Sequence, residues 1–272
     1  MSFVTHIRAH GAGELIWYAS TLIQAPHGFS TRQGGVSGPP WDTLNLGPSR
    51  GDNPAHVAEN YRIFCGAIGV DPERAVLSKQ VHETTVRTVT DADAGKGLTR
   101  PRDYSADALI TAESDLPLVV FSADCGMVLL HDPITGAVGA VHAGWRGCAA
   151  GIVEKAVRNL CALSGAEPSR IRAAIGPCIG PYCFQTDSDV PDAMRAALGP
   201  DAEPHLRYDD DMGKWRVDLA GLIRQWLLRA GLQSPRIDVL RLCTACHTDL
   251  FWSHRRMGEE RGLQAAMIMK RG

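Results

Sequence analysis

Apolar and polar residues alternate along this 272-residue chain in short runs that predict a mixture of strands and amphipathic helices, densest over residues 116–151. Residues 118–121 form an apolar run that predicts a buried strand, stopped by Ser122-Ala123-Asp124-Cys125 and Gly126. Cys125 is therefore expected at a strand terminus. Residues 127–131 and 137–142 predict two further strands, joined through Asp132-Pro133-Ile134-Thr135-Gly136, whose proline and glycine suit a hairpin turn. Such a hairpin brings His142 back beside Cys125. Ala143-Gly144-Trp145-Arg146-Gly147 then leads into a helical run over 148–163, in which Ala149, Ile152, Val153, Ala156, Val157, Leu160 and Leu163 recur at three- and four-residue steps. A glycine-flanked Arg146 at a helix start favours an anion, because free N–H groups and the helix dipole act in the same direction.

Elsewhere the pattern is shorter-ranged. Residues 14–25 predict one or two strands, and residues 33–54, dense in Gly, Pro, Ser and Asn, predict a long loop. Loops of that length tend to bind ligands, and Trp41, Leu44 and Leu46 need a surface to pack on. Asp52 or Asn53 ahead of Pro54 starts a helix with Val57, Tyr61, Phe64 and Ile68 on one face and Gly69 at its end. Residues 75–89 are rich in β-branched residues and predict a strand or a bent pair of strands containing Gln80-Val81-His82. Residues 91–104 predict a loop and 107–111 a strand. Further on, 171–175 predicts a strand, 176–183 a rigid Gly- and Pro-punctuated loop, and 189–198 and 219–230 helices flanking a polar turn at 209–213. Residues 237–242 and 265–269 predict closing strands. With no repeat and no convincing linker, residues 1–272 are read as one domain.

Hydrophobic residues at 44% and charged residues at 21% fit an ordinary soluble globular chain, and a formal charge of −2 gives no basis for a nucleic-acid or membrane surface. The N-terminal residues lack the continuous apolar core of a signal peptide, so a cytoplasmic location is expected. The eight cysteines are then expected as thiols or metal ligands rather than disulfides. Cys243-Thr244-Ala245-Cys246-His247 matches the C-x-x-C-H pattern of haem attachment, but that chemistry accompanies export. A structural zinc site pairing these residues with Cys178 and Cys183 has awkward spacing. The default is a Cys243 packed at a strand end and a Cys246 in a loop. Arg255, Arg256 and Arg261 form a basic cluster that reads as surface charge, with an anionic substrate group as the sharper alternative.

The segments SADCGMVLL, AVHAGWRG, KQVH, FSTRQGGVS with the later LNLG, IGPCIG and the C-terminal CT with RR and G resemble the laccase-domain proteins. These have been described both as multicopper polyphenol oxidases and as purine nucleoside phosphorylases with adenosine deaminase activity. The resemblance runs from about residue 27 to the end. It implies an α+β fold, a single-domain layered α-β-β-α sandwich with mixed sheets. It also implies a metal triad at His82, Cys125 and His142, two of which the strand-end argument reaches independently. Two imidazoles and one thiolate suit zinc and leave a fourth position open, as in a catalytic site.

A multicopper oxidase holds several coppers on about ten histidines, largely in H-x-H pairs. The ten histidines here are scattered and include no such pair, so copper-dependent polyphenol oxidation is expected only with added metal. Phosphorolysis of a nucleoside needs an anion site, contacts to the sugar and help for the departing base. Arg146 and Arg32 are candidates for phosphate, Asn45 and Gln80 for sugar or base, and zinc on the triad would also explain deamination. Two other classes use the same residues. In one, Cys125 is the nucleophile of an amide hydrolase acting on a peptidoglycan precursor, activated by His142 or His82. In the other, the triad senses metal or redox state without turnover. The expected function is a zinc-dependent purine nucleoside phosphorylase with deaminase side activity, a monomer acting on small molecules.

Overall fold

The three strands predicted around Cys125 are buried along their whole length, which requires a sheet covered on both faces. The computed structural model, which describes residues 3–11 and 13–272, meets that requirement with two sheets between layers of helices. From the N-terminus come β1 (Phe3–His10), β2 (Gly13–Ser20), β3 (His27–Ser30) and, after a long loop, helix α1 (Pro54–Ile68). Short strands β4 (Val76–Leu77) and β5 (Val86–Thr88) precede β6 (Ala108–Thr111), β7 (Leu118–Ser122), β8 (Gly126–His131) and β9 (Val138–Ala143). Helices α2 (Trp145–Ala149) and α3 (Ile152–Ser164) follow, then β10 (Arg172–Ile175), β11 (Gln185–Thr186) and α4 (Asp189–Leu198). The chain closes with β12 (Leu206–Asp209), β13 (Lys214–Val217), α5 (Leu219–Arg229), β14 (Ile237–Val239), α6 (His254–Met257) and β15 (Gln264–Ile268).

One sheet has the order β1-β2-β3-β15-β7-β4 and the other β14-β10-β8-β9-β6-β5. Both are mixed: β4 runs parallel to β7, β5 to β6, and β14 to β10, while the remaining pairs are antiparallel. The period-two alternation of each strand assigns its side chains to a layer. Leu118, Val120, Ala266 and Ile268 meet Met127, Leu129, Val138 and Ala140 between the sheets. Val119, Phe121, Ala265 and Met267 point the other way, onto Val57, Tyr61 and Phe64 of α1. Val128, Leu130 and Val141 face Val153, Val157 and Leu160 of α3 and Ile223 and Leu227 of α5. The result is the α-β-β-α sandwich the resemblance implies, and each fully buried aliphatic side chain contributes roughly 1.5–3 kcal/mol to holding it.

Helix α1 begins and ends as its sequence predicts. The Asn53 side chain accepts the Ala55 N–H, and Gly69, at φ 74°, closes the last turn. Four details differ from the sequence expectation. The predicted helix over 148–163 is two helices, because Gly151 at φ 79° breaks it between α2 and α3. Residues 75–89 form two strands that join different sheets, with His82 in the loop between them. The polar turn at 209–213 caps a hairpin in a third, three-stranded sheet, β11-β13-β12. β1 was not foreseen because its side chains are largely exposed and it is held by pairing with β2 from Phe3↔Ser20 to His10↔Gly13.

Candidate metal centre and active site

Three chain interruptions meet at one end of the two sheets: the loop between β4 and β5, the turn between β7 and β8, and the end of β9. They carry His82, Cys125 and His142, whose ligand atoms all lie within 4.8 Å of one another. The organising residue is Asp107, wholly buried just ahead of β6. Its carboxylate accepts the backbone N–H groups of Val81, His82 and Glu83, each at 3.0 Å, and faces His142 Nδ1 at 2.8 Å. Three successive amides can point at one carboxylate only if the backbone curls, and His82 does so at φ 61°. That conformation costs a non-glycine residue about 1–3 kcal/mol, offset here by the charge-assisted hydrogen bonds. With Nδ1–H donated to Asp107, His142 keeps its Nε2 lone pair for the side facing Cys125.

Cys125 Sγ lies 3.9 Å from His82 Nε2, and the two imidazoles meet edge to face at 4.9 Å between centroids. Burial by itself would disfavour the Cys125 thiolate, but the His142 and His82 rings outweigh it and bring the thiol well below its ordinary range. Burial likewise opposes charge on His142, and Asp107 together with Cys125 reverses that and raises it. Cys125 and His142 therefore each favour the other's charged form, with the Asp107 carboxylate behind the imidazole. Close approach of the three side chains depends on Gly144: a Cβ there would sit 2.8 Å from His82 Cδ2 and 3.1 Å from Cys125 Sγ. Two N donors and one soft S donor, with a carboxylate fixing one imidazole from behind, fit zinc in chemistry and number.

The turn that carries Cys125 is tied to distant chain by its neighbour. Asp124, at φ 88°, is buried, and its carboxylate accepts Thr244 Oγ1 at 2.5 Å, Ser253 Oγ at 3.1 Å and the Arg255 N–H at 2.7 Å. Its carbonyl accepts the Ile179 N–H. The C-terminal segment and the 176–183 loop are thereby fastened to the centre.

Two cavities open on either side of the triad. The first, of about 350 Å³, is lined by His82, Cys125 and His142 together with four cations, Arg50, Lys79, Arg102 and Arg261. Buried Nε–H groups of Arg50 and Arg261 have no partner among the described residues. The second, of about 360 Å³, shares His82 and Cys125 and is walled by Trp145, Ile179, Phe184 and Leu219, with Arg146, His254 and Arg255.

Residues 26–271 match the family model described as multi-copper polyphenol oxidoreductase laccase. The chain belongs to the laccase-domain family. Among its relatives, the purine nucleoside phosphorylase YlmD of Geobacillus stearothermophilus is 36% identical over 93% of each chain. Purine nucleoside phosphorylase SCO2081 of Streptomyces coelicolor is 39% identical over 89% of this chain and 94% of its own. The crystal structure of the Geobacillus YlmD superposes with a TM-score of 0.88 at 34% identity, covering 99% of this chain and 100% of that one. The hypothetical protein YfiH of Bacillus licheniformis superposes at 0.89 and 33% identity, over 97% and 98%.

Within this laccase-domain chain the other expected site residues lie in different places. Arg146 lines the second cavity, its guanidinium stacked 4.4 Å from the Trp145 ring. Gln80 borders the first cavity, but its amide bonds both ways to the backbone of Phe121, extending the edge of β7. Arg32 lies apart from both cavities: its guanidinium donates to the carbonyls of Asp42 and Thr248 and lies 4.0 Å over Trp252, pinning the loop. Asn45 also lies apart from both cavities. It is fully buried, donates to Asp52 and accepts the N–H groups of Gly47 and Leu263, so its amide serves the loop. The basic cluster separates, with Arg261 in the first cavity and Arg255 in the second. Asp107, Arg50, Lys79 and Arg102 were missed. Lys79 directly precedes the Gln80-Val81-His82 segment, which was the one sequence signal available.

Proposed function

We propose that this protein is a purine nucleoside phosphorylase that converts adenosine, inosine or methylthioadenosine and phosphate to free base and ribose 1-phosphate, with adenosine deamination as a second reaction. The observation that carries the proposal is the triad's position between a cationic cavity and an aromatic one. An inorganic anion and a flat, apolar base are the ligands such a pair fits. The names of the relatives point the same way.

In this reading Arg50, Lys79, Arg102 and Arg261 hold phosphate and neutralise its charge as an oxygen approaches the anomeric carbon and the glycosidic C–N bond breaks. Trp145 and Phe184 pack the purine. Arg146 and His254 stand at the rim of the same cavity, where they supply polar contacts to the departing base. His82, Cys125 and His142 would hold zinc, which supplies a Lewis acid to polarise an atom presented to it. Asp107 keeps His142 in the tautomer that serves as a ligand. The chain acts as one domain over residues 1–272, on small molecules in the cytoplasm.

A second reading rests on the alignment of Cys125, His142 and Asp107. A Cys125 nucleophile, His142 and Asp107 form the sequence of nucleophile, base and orienting carboxylate found in cysteine hydrolases of amides. The experiment that separates the two is phosphate-dependent release of adenine from adenosine by the purified protein, in the native chain and in Cys125→Ala, with metal content determined on both. Base released only with phosphate, and lost together with zinc in the variant, upholds the phosphorylase. Turnover of an amide that ignores a chelator and is abolished by a thiol alkylator replaces it with the hydrolase.

A further inference from the structure

Outside the triad, the described residues contain one other group of potential metal ligands: Cys183, Cys243 and Cys246, whose sulfurs lie within 4.8 Å of one another. In the sequence, a zinc site pairing Cys243 and Cys246 with Cys178 and Cys183 is weakened by the C-x-x-x-x-C spacing and the two prolines nearby. In the fold Cys178 is buried and stands outside the group, linked to Cys243 only by a backbone bridge. Cys183, at the end of the 176–183 loop, is the candidate that joins Cys243 and Cys246.

We infer that Cys183, Cys243 and Cys246 form a second metal site, a three-thiolate zinc clip in the loops behind the wall of the aromatic cavity. Both arms are set by local turns. Cys183 N–H and Phe184 N–H donate to the Gly180 carbonyl, while Cys246 N–H and His247 N–H donate to the Cys243 carbonyl. The second arm is a C-x-x-C chelate of the spacing zinc sites use. Zinc–sulfur bonds of about 2.3 Å set tetrahedral sulfur pairs at roughly 3.8 Å, and Cys183 and Cys246 stand at 3.4 Å already. The surroundings favour anionic sulfur. The Gly180 N–H donates to Cys243 Sγ at 3.1 Å, and Arg256 Nη2 approaches Cys183 Sγ at 3.9 Å.

Exposure of Cys246 gives the ion a route in and leaves the fourth position to water. The clip has a structural consequence for the active site. It joins the loop that contributes Ile179 and Phe184 to the aromatic cavity with the segment whose Thr244 hydroxyl donates to Asp124, the residue beside Cys125. Zinc at the clip therefore stiffens the support of the triad from behind, without contact to substrate.

The test uses the full chain, reduced and stripped of metal, then titrated anaerobically with Zn(II) against a chromophoric chelator and separately with Co(II). The native chain takes up two equivalents; Cys125→Ala and Cys246→Ser each take up one, and the double variant none. Cys183→Ser, read alongside, behaves as Cys246→Ser. Cobalt in Cys125→Ala shows the intense near-ultraviolet thiolate charge-transfer band, and Cys246→Ser on that background abolishes it. A Cys125→Ala chain that binds no zinc, or a Cys246→Ser chain that binds as much zinc as the native chain, overturns the inference. So does a Cys183–Cys246 disulfide found in protein alkylated at cell lysis with Cys243 free, which makes the pair a redox couple instead. The Cys125→Ala background keeps this result independent of whether the proposed phosphorylase activity is found.

Discussion

Asp107 is the residue on which the candidate centre turns, and it has no counterpart in the sequence expectation. Its signal was weak because the groups it serves are backbone amides 24–26 residues earlier and an imidazole 35 residues later. Asp107→Asn sets an NH2 group against N–H donors and removes the charge facing His142. The expected loss is about 3–5 kcal/mol of stability by denaturant unfolding and a 10–100-fold weakening of zinc binding by chelator competition. Gly144→Ala separates crowding from folding. Gly144 lies at φ −64°, so alanine fits the backbone, yet its Cβ meets His82 and Cys125. Metal affinity is expected to fall while the far-ultraviolet circular dichroism stays unchanged. Lys79→Ala tests the cationic cavity: removing one charged contact to phosphate costs about 1.5–3 kcal/mol. Initial-rate kinetics should show KM for phosphate raised at least tenfold and KM for the nucleoside little altered; equal effects on both would argue against a phosphate role.

At the scale of elements, the 31–53 loop shows what a sequence conceals. Its glycines, prolines and polar residues announce a loop with a purpose, and Pro48, Ser49 and Arg50 do reach the cationic cavity. Which polar residues face outward was not legible, because a hydrogen-bonding side chain reads the same whether it closes the loop or meets a ligand. Arg32 and Asn45 close it, helped by Asn60 of α1, whose buried amide accepts the Val36 N–H and donates to Ser37 Oγ and the Asn45 carbonyl. Asn60→Ala leaves those groups unpaired in the interior, at a cost of about 1–3 kcal/mol. It should speed protease cleavage within 31–53 and raise KM for phosphate through the displaced Arg50, with metal content unchanged. Strands and helices were far easier to anticipate. β7, β8, β9 and β15 follow their apolar runs to within a residue or two, and α1 follows its Asn-Pro start and glycine end. The single-helix expectation for 148–163 failed at Gly151, where a left-handed turn lets α3 pack on the outer face of β6 and β9.

Across the whole molecule, sandwiching two sheets between helices buries charge-bearing residues that carry no function in the centre, and acid stability reflects them. His131, at the end of β8, is 5% exposed and its Nδ1 has no partner among the described residues. Burial, then the nearby Arg172, lowers its pKa from 6.5 to about 4. Between those values the unfolded chain binds a proton that the folded chain refuses, so folded stability falls as pH drops from 6.5 toward 4 and is unaffected above that range. The slope contributed by one such group is at most about 1.4 kcal/mol per pH unit. Denaturant melts of the metal-free chain should show this decline, and His131→Gln should flatten it; an unchanged slope would move the acid sensitivity elsewhere. The sequence by itself determined the local matters: where strands and helices run, that Cys125 and His142 end neighbouring strands, and, through its resemblance, the family and the layered fold. Those follow from periodicity, capping and turn chemistry, which act over a few residues and are written in consecutive positions. The tertiary structure alone decided that Asp107 commands the centre, that four cations line one side of it while Arg32 and Asn45 turn inward, and that Cys183 rather than Cys178 joins Cys243 and Cys246. Each of those depends on which faces of distant segments meet when the two sheets close, and short-range pattern carries no record of that.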